Sequence, residues 1–416
     1  MQDVDARRAA ELTARNSYGQ LVAYLVVRTH DLAAAEDALS DAFLAALKTW
    51  PENGVPDNPE AWLLVSARHR LIDNARHAKV KASAANTLKL MFVEVQESAS
   101  LEVMFPDERL KLLFICAHPA IEASIRTPLM LQTILGLNAA EIASALLIAP
   151  TTMSQRLVRA KAKIRDAGMG FELPEAKDLP IRLDAVLEAI YAAYSNGWEN
   201  VTGVDPRGKG LTEEAIWLAR VCVDLLPTEP EARGLLSLML HCEARRDARR
   251  TANGAYIPLS EQDVKLWSQS MLEEAERELT QAAKFKKLGR FQLEAAIQST
   301  HAQRAVSGRT EWETLALLYE GLIQLSPTLG ALVGHAAAIA EVKGLEQGLA
   351  LLTTLPLELV RSYQPYWALS AYLFKRLGQE SQAKEAYARA IGLAEDPAIR
   401  EFLLRQSLAD SKGELV

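Results

Sequence analysis

Residues 135–168 read LGLNAAEIASALLIAPTTMSQRLVRAKAKIRDAG. The stretch predicts two helices joined by a tight turn. Asn138 suits an N-cap, and Glu141 three residues on completes a capping box. Ile142, Leu146 and the turn residue Ile148 supply an apolar seam. Pro150 suits the first position of the second helix, where a missing N–H costs nothing. In that helix Met153, Leu157 and Ile164 are expected to face inward. Thr151, Thr152, Gln155, Arg156 and Arg159 occupy its N-terminal half, and Lys161, Lys163 and Arg165 continue the charge. Hydroxyl, amide and guanidinium groups at the start of such a helix can reach base edges in a major groove, and the cations can neutralise phosphates.

Upstream lies a second basic segment. Residues 58–77, NPEAWLLVSARHRLIDNARH, carry an apolar stripe of Trp62, Leu63, Leu64, Ala67, Leu71 and Ile72 at helical spacing. Arg68, His69, Arg70, Asn74, Arg76 and His77 fill the other positions. Before it, residues 31–51 predict an acidic helix in which Glu36, Asp37 and Asp41 sit beside Ala38, Leu39, Phe43, Leu44 and Leu47.

The chain has 416 residues, a formal net charge of -7, 49% hydrophobic and 24% charged residues. Those proportions exclude a disordered or fibrous chain, and the length suggests two or three domains. An acidic total argues against a nucleic-acid partner until it is divided along the chain. Residues 67–81 and 151–166 each carry five basic side chains and one acidic, so two blocks of +4 stand out of an acidic chain. Residues 1–170 balance to zero, and the whole -7 falls after residue 170.

Ala and Leu are abundant and alternating β-branched runs are scarce, so the fold class is all-α. Gly and Pro are expected between helices rather than inside them. The expected organisation is a helical unit at 10–81, a connector at 82–105 whose MFVEV stretch could dock, a second helical unit at 106–170, and a helical tail at 181–416 set off by Pro174 and Pro180. Cys116, Cys222 and Cys242 show no CxxC spacing, which implies neither a disulfide framework nor a zinc ribbon. The N-terminus lacks an apolar h-region, and no apolar run reaches about 18 residues, so the expectation is a cytoplasmic protein with no membrane partner.

These motifs, in this order, resemble the extracytoplasmic-function (ECF) sigma factors of bacterial RNA polymerase. AEDALSDAFLAALKTWP (35–51) is similar to the helix that docks on the polymerase β′ coiled coil. Residues 58–77 resemble the helices that open and read the −10 element, and 135–165 resemble the −35-reading helix-turn-helix. The resemblance implies sigma domain 2 at 10–81 and sigma domain 4 at 106–170. It implies polymerase-binding residues Glu36, Asp37, Asp41, Phe43 and Leu44. For the −10 element it implies Trp62, Arg68, Arg70, Asp73, Asn74 and Arg76, with the GVPDNPE loop (54–60) capturing a flipped base. For the −35 element it implies Thr151, Thr152, Gln155, Arg156, Arg159 and Lys163. The partners are then core polymerase and promoter DNA.

The stretches ICAHPAI (115–121), ARRDAR (244–249) and EQDVKLW (261–267) resemble a subgroup with a long C-terminal extension like tetratricopeptide repeats (TPR-like). Gly344 and Gly378 are 34 residues apart, each expected to end the first helix of a pair. Trp367, Ala371, Phe374, Ala383, Tyr387 and Ala390 fit that repeat. The preceding copy is degenerate, with Pro356 expected to end its second helix early. Stacked helix pairs give a concave surface suited to a protein or peptide.

Cys116 with His118, and His241 with Cys242, read as core packing rather than metal ligands. The loop ARRDARRTANGAY (244–256) is expected to meet an acidic helix of its own protein. There is no Gly-rich phosphate loop and no HExxH, so neither catalysis nor a cofactor or metal is expected. The competing reading is a ligand-sensing helix-turn-helix regulator that does not engage core polymerase.

Overall fold

The computed structural model describes residues 2–79, 108–145, 148–168, 175, 178–199 and 206–409. The expected connector at 82–105, with its MFVEV stretch, lies outside them, as do Leu146 and Pro174. The described residues are helical throughout, save for loops and a single antiparallel bridge between Arg250 and Tyr256. The chain divides into two compact units, Met1–Val201 with Asp205–Leu218, and Thr202–Val204 with Ala219–Val416.

The first unit opens with α1 (Gln2–Thr29), α2 (Leu32–Asn53) and α3 (Pro59–Lys79), each packed on the other two. Asp31 starts α2 by accepting a 3.0 Å bond from the Ala34 amide. Gly54, at φ +86°, ends that helix. Asn58 then caps α3, its Oδ1 accepting from the Ala61 amide at 3.0 Å. Leu21, Leu25, Leu39, Leu63 and Trp50 fill the space between the three helices.

Next come α4 (Arg109–Cys116), α5 (Ala123–Leu135), α6 (Ala139–Ala145), α7 (Pro150–Asp166) and α8 (Leu179–Glu199). Helix α5 is the hub: it touches α1, α4, α6, α7 and α8. Leu129, Met130, Leu131 and Ile134 are buried on it. The expected capping box is present. Asn138 Oδ1 accepts from the Glu141 amide at 3.0 Å, and Glu141 Oε2 accepts from the Asn138 amide at 2.8 Å. Pro150 occupies the first turn of α7, as its missing donor favours.

The expectation that Gly and Pro stay out of helices needs correcting. Pro51 lies in the last turn of α2 and Pro128 inside α5. Gly19 lies in the middle of α1, where a β-carbon would overlap the carbonyl oxygen of Ile134. A glycine there lets α1 and α5 approach backbone to backbone, a packing reason that outweighs about 1 kcal/mol of lost helix propensity. Gly136, at φ +67°, ends α5 in the left-handed conformation against the Tyr18 ring.

Helix α9 (Pro206–Leu225) crosses the boundary between the units. The second unit continues with α10 (Pro230–Glu243), α11 (Gln269–Ala283), α12 (Arg290–Ala302), α13 (Arg304–Ser307), α14 (Trp312–Leu325), α15 (Leu329–Lys343), α16 (Leu345–Thr353), α17 (Leu357–Val360), α18 (Gln364–Arg376), α19 (Glu380–Leu393) and α20 (Pro397–Leu408). Helix α10 is buried nearly all round, between α11 and α12. Gly344 (φ +110°) and Gly378 (φ +73°) end α15 and α18, and the pairs α15–α16 and α18–α19 pack in series. As Pro356 suggests, α16 stops at Thr353 after 9 residues, against 14 for α19. A groove of about 670 Å³ opens between α14, α15 and α16, lined by Leu317, Ile339, Val342 and Leu351 together with Glu313, Glu320 and Lys343.

The basic loop after α10 is tied into its own unit. Arg246 pairs with Glu243 through bonds of 2.5 and 2.7 Å. Arg245 donates to Gln298 Oε1 at 2.6 Å. Arg250 pairs with Asp396, the residue that caps α20. This loop is a clasp between helices, and its arginines meet two single carboxylates, Glu243 and Asp396, rather than the acidic helix expected. His241, 1% exposed, sits above it with neither ring nitrogen hydrogen-bonded. Burial, and secondly Arg245, hold its imidazole down to about 4. The unfolded chain protonates first, near 6.5, so stability present above that value is lost as pH falls from about 6.5 towards 4, by about 3 kcal/mol. Melting curves between pH 7 and 4.5 should show this, and His241→Phe should flatten the slope.

Candidate polymerase and nucleic-acid interface

A helix turns 100° per residue, so the buried side of α2 fixes its free side. Leu32, Ala35, Ala38, Leu39, Ala42, Ala46 and Trp50 face the core. Asp37, Asp41, Leu44, Leu47 and Lys48 are exposed, and Phe43 is half-buried beside them. The two carboxylates and Leu44 run along one line at i, i+4 and i+7. This gives a mixed acidic and apolar face, with Leu44 56% and Leu47 42% exposed. Leu47 and Lys48 were not among the expected contacts, although the spacing in the sequence already placed them there.

Glu36 does not belong to that face. It is 8% exposed, and its Oε2 accepts a 2.5 Å bond from Nζ of Lys161 on α7. Burial raises the Glu36 carboxyl, a shift that Lys161 partly offsets. Tyr18 lies in the same pocket, its phenol pushed up first by burial and then by Glu36 and Asp37. Two expectations are corrected together: Glu36 is not presented to a polymerase, and Lys161 is not presented to phosphates. A carboxylate and an ammonium 125 residues apart satisfy one another, which neither local pattern signals.

On α3, Leu63, Leu64, Ala67, Leu71 and Ile72 are buried as expected. Trp62 is half-buried, its ring 5.5 Å from that of Trp50 in an edge-to-face arrangement. Arg68 is half-buried, while Arg70 and Asp73 are exposed. The side chains of Asn74 and Arg76 lie outside the described residues. His69, also exposed, falls on the same arc as Trp62 and Asp73, although it was not among the expected −10 contacts. The 54–58 loop runs from the Gly54 cap to the Asn58 cap at the start of this face.

On α7, Met153, Leu157, Ala160 and Ile164 form the buried stripe. Thr151, Thr152, Gln155, Arg156, Arg159 and Lys163 are all exposed. Thr152, Arg156, Arg159 and Lys163 share about 60° of arc, with Thr151 and Gln155 adjoining. Three cations and three uncharged polar groups thus occupy one accessible side of a helix whose opposite side is locked into α5 and α6.

Cys116 is fully buried, its sulfur 3.7 Å from Thr133 Oγ1 and its thiol pushed up to about 12 by burial. His118 accepts a 3.1 Å bond from the Ala120 amide. Among the described residues no three His, Cys, Asp or Glu side chains converge as metal ligands, and no helix is long and apolar enough to cross a membrane.

Comparison with known proteins agrees with this geometry. Residues 14–80, the span of α1 to α3, match Sigma-70 region 2. Residues 182–283 match a family of unknown function (DUF6596). An uncharacterized protein of Rhizobium meliloti (strain 1021) is 35% identical over 392 residues, covering 93% of this chain and 92% of its own. No solved structure matches.

Proposed function

Because the chain belongs to the family of that Rhizobium meliloti protein and carries a sigma-70 region 2, we propose that it is an ECF-type sigma subunit of bacterial RNA polymerase. It binds the core enzyme and directs initiation at promoters read through −10 and −35 elements. The match at 14–80 carries this reading, and the exposed acidic and apolar face of α2 within it supports the docking role. Asp37 and Asp41 meet basic residues on the β′ coiled coil, with Phe43 and Leu44 as apolar anchors. Arg68, Arg70 and Arg76 hold phosphates at the −10 element, and the 54–60 loop captures a base whose unstacking costs a few kcal/mol. No chemistry is asked of the chain: polymerase makes the bonds, and sigma supplies position and binding energy.

Helices α6 and α7 act as the −35-reading helix-turn-helix of sigma domain 4. Two kinds of substitution separate its contacts. Gln155→Ala and Arg156→Ala should each cost about 1–3 kcal/mol at one base pair and leave other promoters bound. Arg159→Ala and Lys163→Ala should weaken all promoters alike and reduce the slope of log affinity against log salt by about 1 each. Footprinting with holoenzyme over a promoter series at several salt concentrations reads both. A uniform loss for all four variants would remove the base-reading role.

The second unit is the regulatory part, its paired helices a TPR-like scaffold. Its groove is suited to an apolar segment with basic flanks facing Glu313 and Glu320, on a protein or peptide partner. Leu317 is 69% exposed on the groove wall, so Leu317→Glu should leave the fold intact. Transcription output that is unchanged by Leu317→Glu in cells would mark the unit as a stabilising cap instead. The core-binding assay that tests the sigma reading itself uses the purified chain and core polymerase, with a stoichiometric complex expected.

A further inference from the structure

We infer that the turn between α11 and α12 is a second contact with core polymerase: a basic and apolar knuckle that docks on an acidic surface of the enzyme edged with apolar side chains. The choice of polymerase rests on the sigma reading above. Residues 284–290 read KFKKLGR, four basic side chains and no acidic one. The rest of 219–416 holds 19 basic against 25 acidic, so the block opposes the charge around it. Arg290 is paired with Glu294 at 2.7 Å. The three lysines stay in water. Lys284 donates to the Gln281 side-chain oxygen at 2.9 Å, Lys287 lies 3.9 Å from Glu229, and Lys286 is exposed. Among them Phe285 is 41% and Leu288 63% exposed.

The turn is held in place from below. Glu231, in the first turn of α10, accepts from the amides of Phe291 and Gln292 at 2.9 and 3.1 Å. Gln292 Nε2 donates to the Lys287 carbonyl at 2.8 Å, and a β-carbon at Gly289 would overlap the Glu231 carboxyl. A turn fixed in this way loses little freedom on docking. Lys286 has φ +53°, in the left-handed region where a side chain is strained and glycine is not. A strained lysine between two exposed apolar side chains points to a use for that side chain. Phe285 and Leu288 need an apolar pocket, and the lysines need anions beside it. Duplex DNA offers no such pocket. An anionic membrane is a broad sheet of charge that would meet the acidic remainder of 219–416 as well. A compact acidic patch on a protein meets the knuckle alone, and the protein partner that the sigma-70 region 2 match implies is core polymerase. Contacts of opposite sign then fix how the chain docks, acidic α2 on a basic surface and the basic knuckle on an acidic one. Two contacts on one chain reinforce each other through effective concentration.

The test titrates the full chain with core polymerase, without DNA, at two salt concentrations. Lys284→Glu with Lys287→Glu should weaken binding about tenfold at low salt and less at high salt. Phe285→Ser with Leu288→Ser should weaken it about tenfold at both. All four side chains are exposed, so both double variants should melt with the parent. Lys286→Gly separates use from stability: it relieves the left-handed strain, so it should melt no earlier than the parent while binding more weakly. Parent-like affinity in both double variants overturns the contact, and so does a loss seen only in variants that melt early. Vesicles of phosphatidylserine and phosphatidylcholine are run in parallel. Sedimentation of the parent with them, lost in the Phe285→Ser, Leu288→Ser protein whose polymerase affinity is unchanged, would assign the knuckle to a membrane and overturn the inference. A parent chain that binds no core polymerase sinks the sigma reading and this contact with it. Affinity lost on charge reversal at Asp37 and Asp41 but kept by every knuckle variant sustains the sigma reading and sinks this contact alone.

Discussion

Asp37→Lys combined with Asp41→Lys should abolish binding to core polymerase, by about a hundredfold or more. Both carboxylates are exposed on one line of α2 with Leu44. Placing like charges across an interface costs several kcal/mol, and each 1.4 kcal/mol is a factor of ten in affinity. Neither carboxylate holds the fold together, so the melting temperature should barely move. The loss should shrink as salt rises, because exposed charges are screened beyond a Debye length of about 10 Å at 0.1 M. Titration of labelled protein with core enzyme at two salt concentrations checks both effects. Equal affinity for parent and variant would detach α2 from polymerase docking. Glu36, buried against Lys161, is not a member of this set, so Glu36→Lys alone should act mainly through that contact.

Gly19→Ala should be the most damaging single methyl in the first unit. The added carbon would overlap the Ile134 carbonyl oxygen, which is backbone and cannot rotate away. Overpacking of this kind costs about 1–3 kcal/mol, and a backbone partner puts the cost at the upper end. The helix-propensity gain of about 1 kcal/mol from replacing glycine offsets only part of it. A loss of about 2 kcal/mol should lower the melting transition by roughly 4–8 °C at this size. A control at Gly392, where a β-carbon meets nothing within 4 Å, should instead be neutral or stabilising. Gly19→Ala that melts with the parent would mean that α1 and α5 are not in backbone contact.

The pattern of what was legible in the sequence is physical. Local signals held: the Asn138–Glu141 capping box, Pro150 at a helix start, the Met153–Leu157–Ile164 stripe and the two glycines 34 residues apart all appear as read. Each depends on neighbours within a few residues or on a regular period. The failures were contacts between distant segments. Glu36 has the composition of a docking residue, and only its Lys161 partner removes it from that face. Gly19 reads as a helix fault until Ile134 is seen against it. Helix α8 reads as the start of the tail, yet it packs on α4 and α5 in the first unit. Burial, not residue type, separated the available charges from the spent ones.

The central claim, that this chain is a promoter-specificity subunit, is tested most directly by transcription in vitro. Core polymerase, the purified chain and a pool of the organism's upstream DNA are combined, and the transcript 5′ ends are sequenced. The account predicts discrete start sites that appear only with the chain present and share a common pair of upstream elements. It also predicts that the Asp37→Lys, Asp41→Lys protein yields none of them. A chain that binds those same DNA fragments alone, while adding no start sites to core polymerase, would contradict the account and mark a helix-turn-helix regulator that does not act as a sigma subunit.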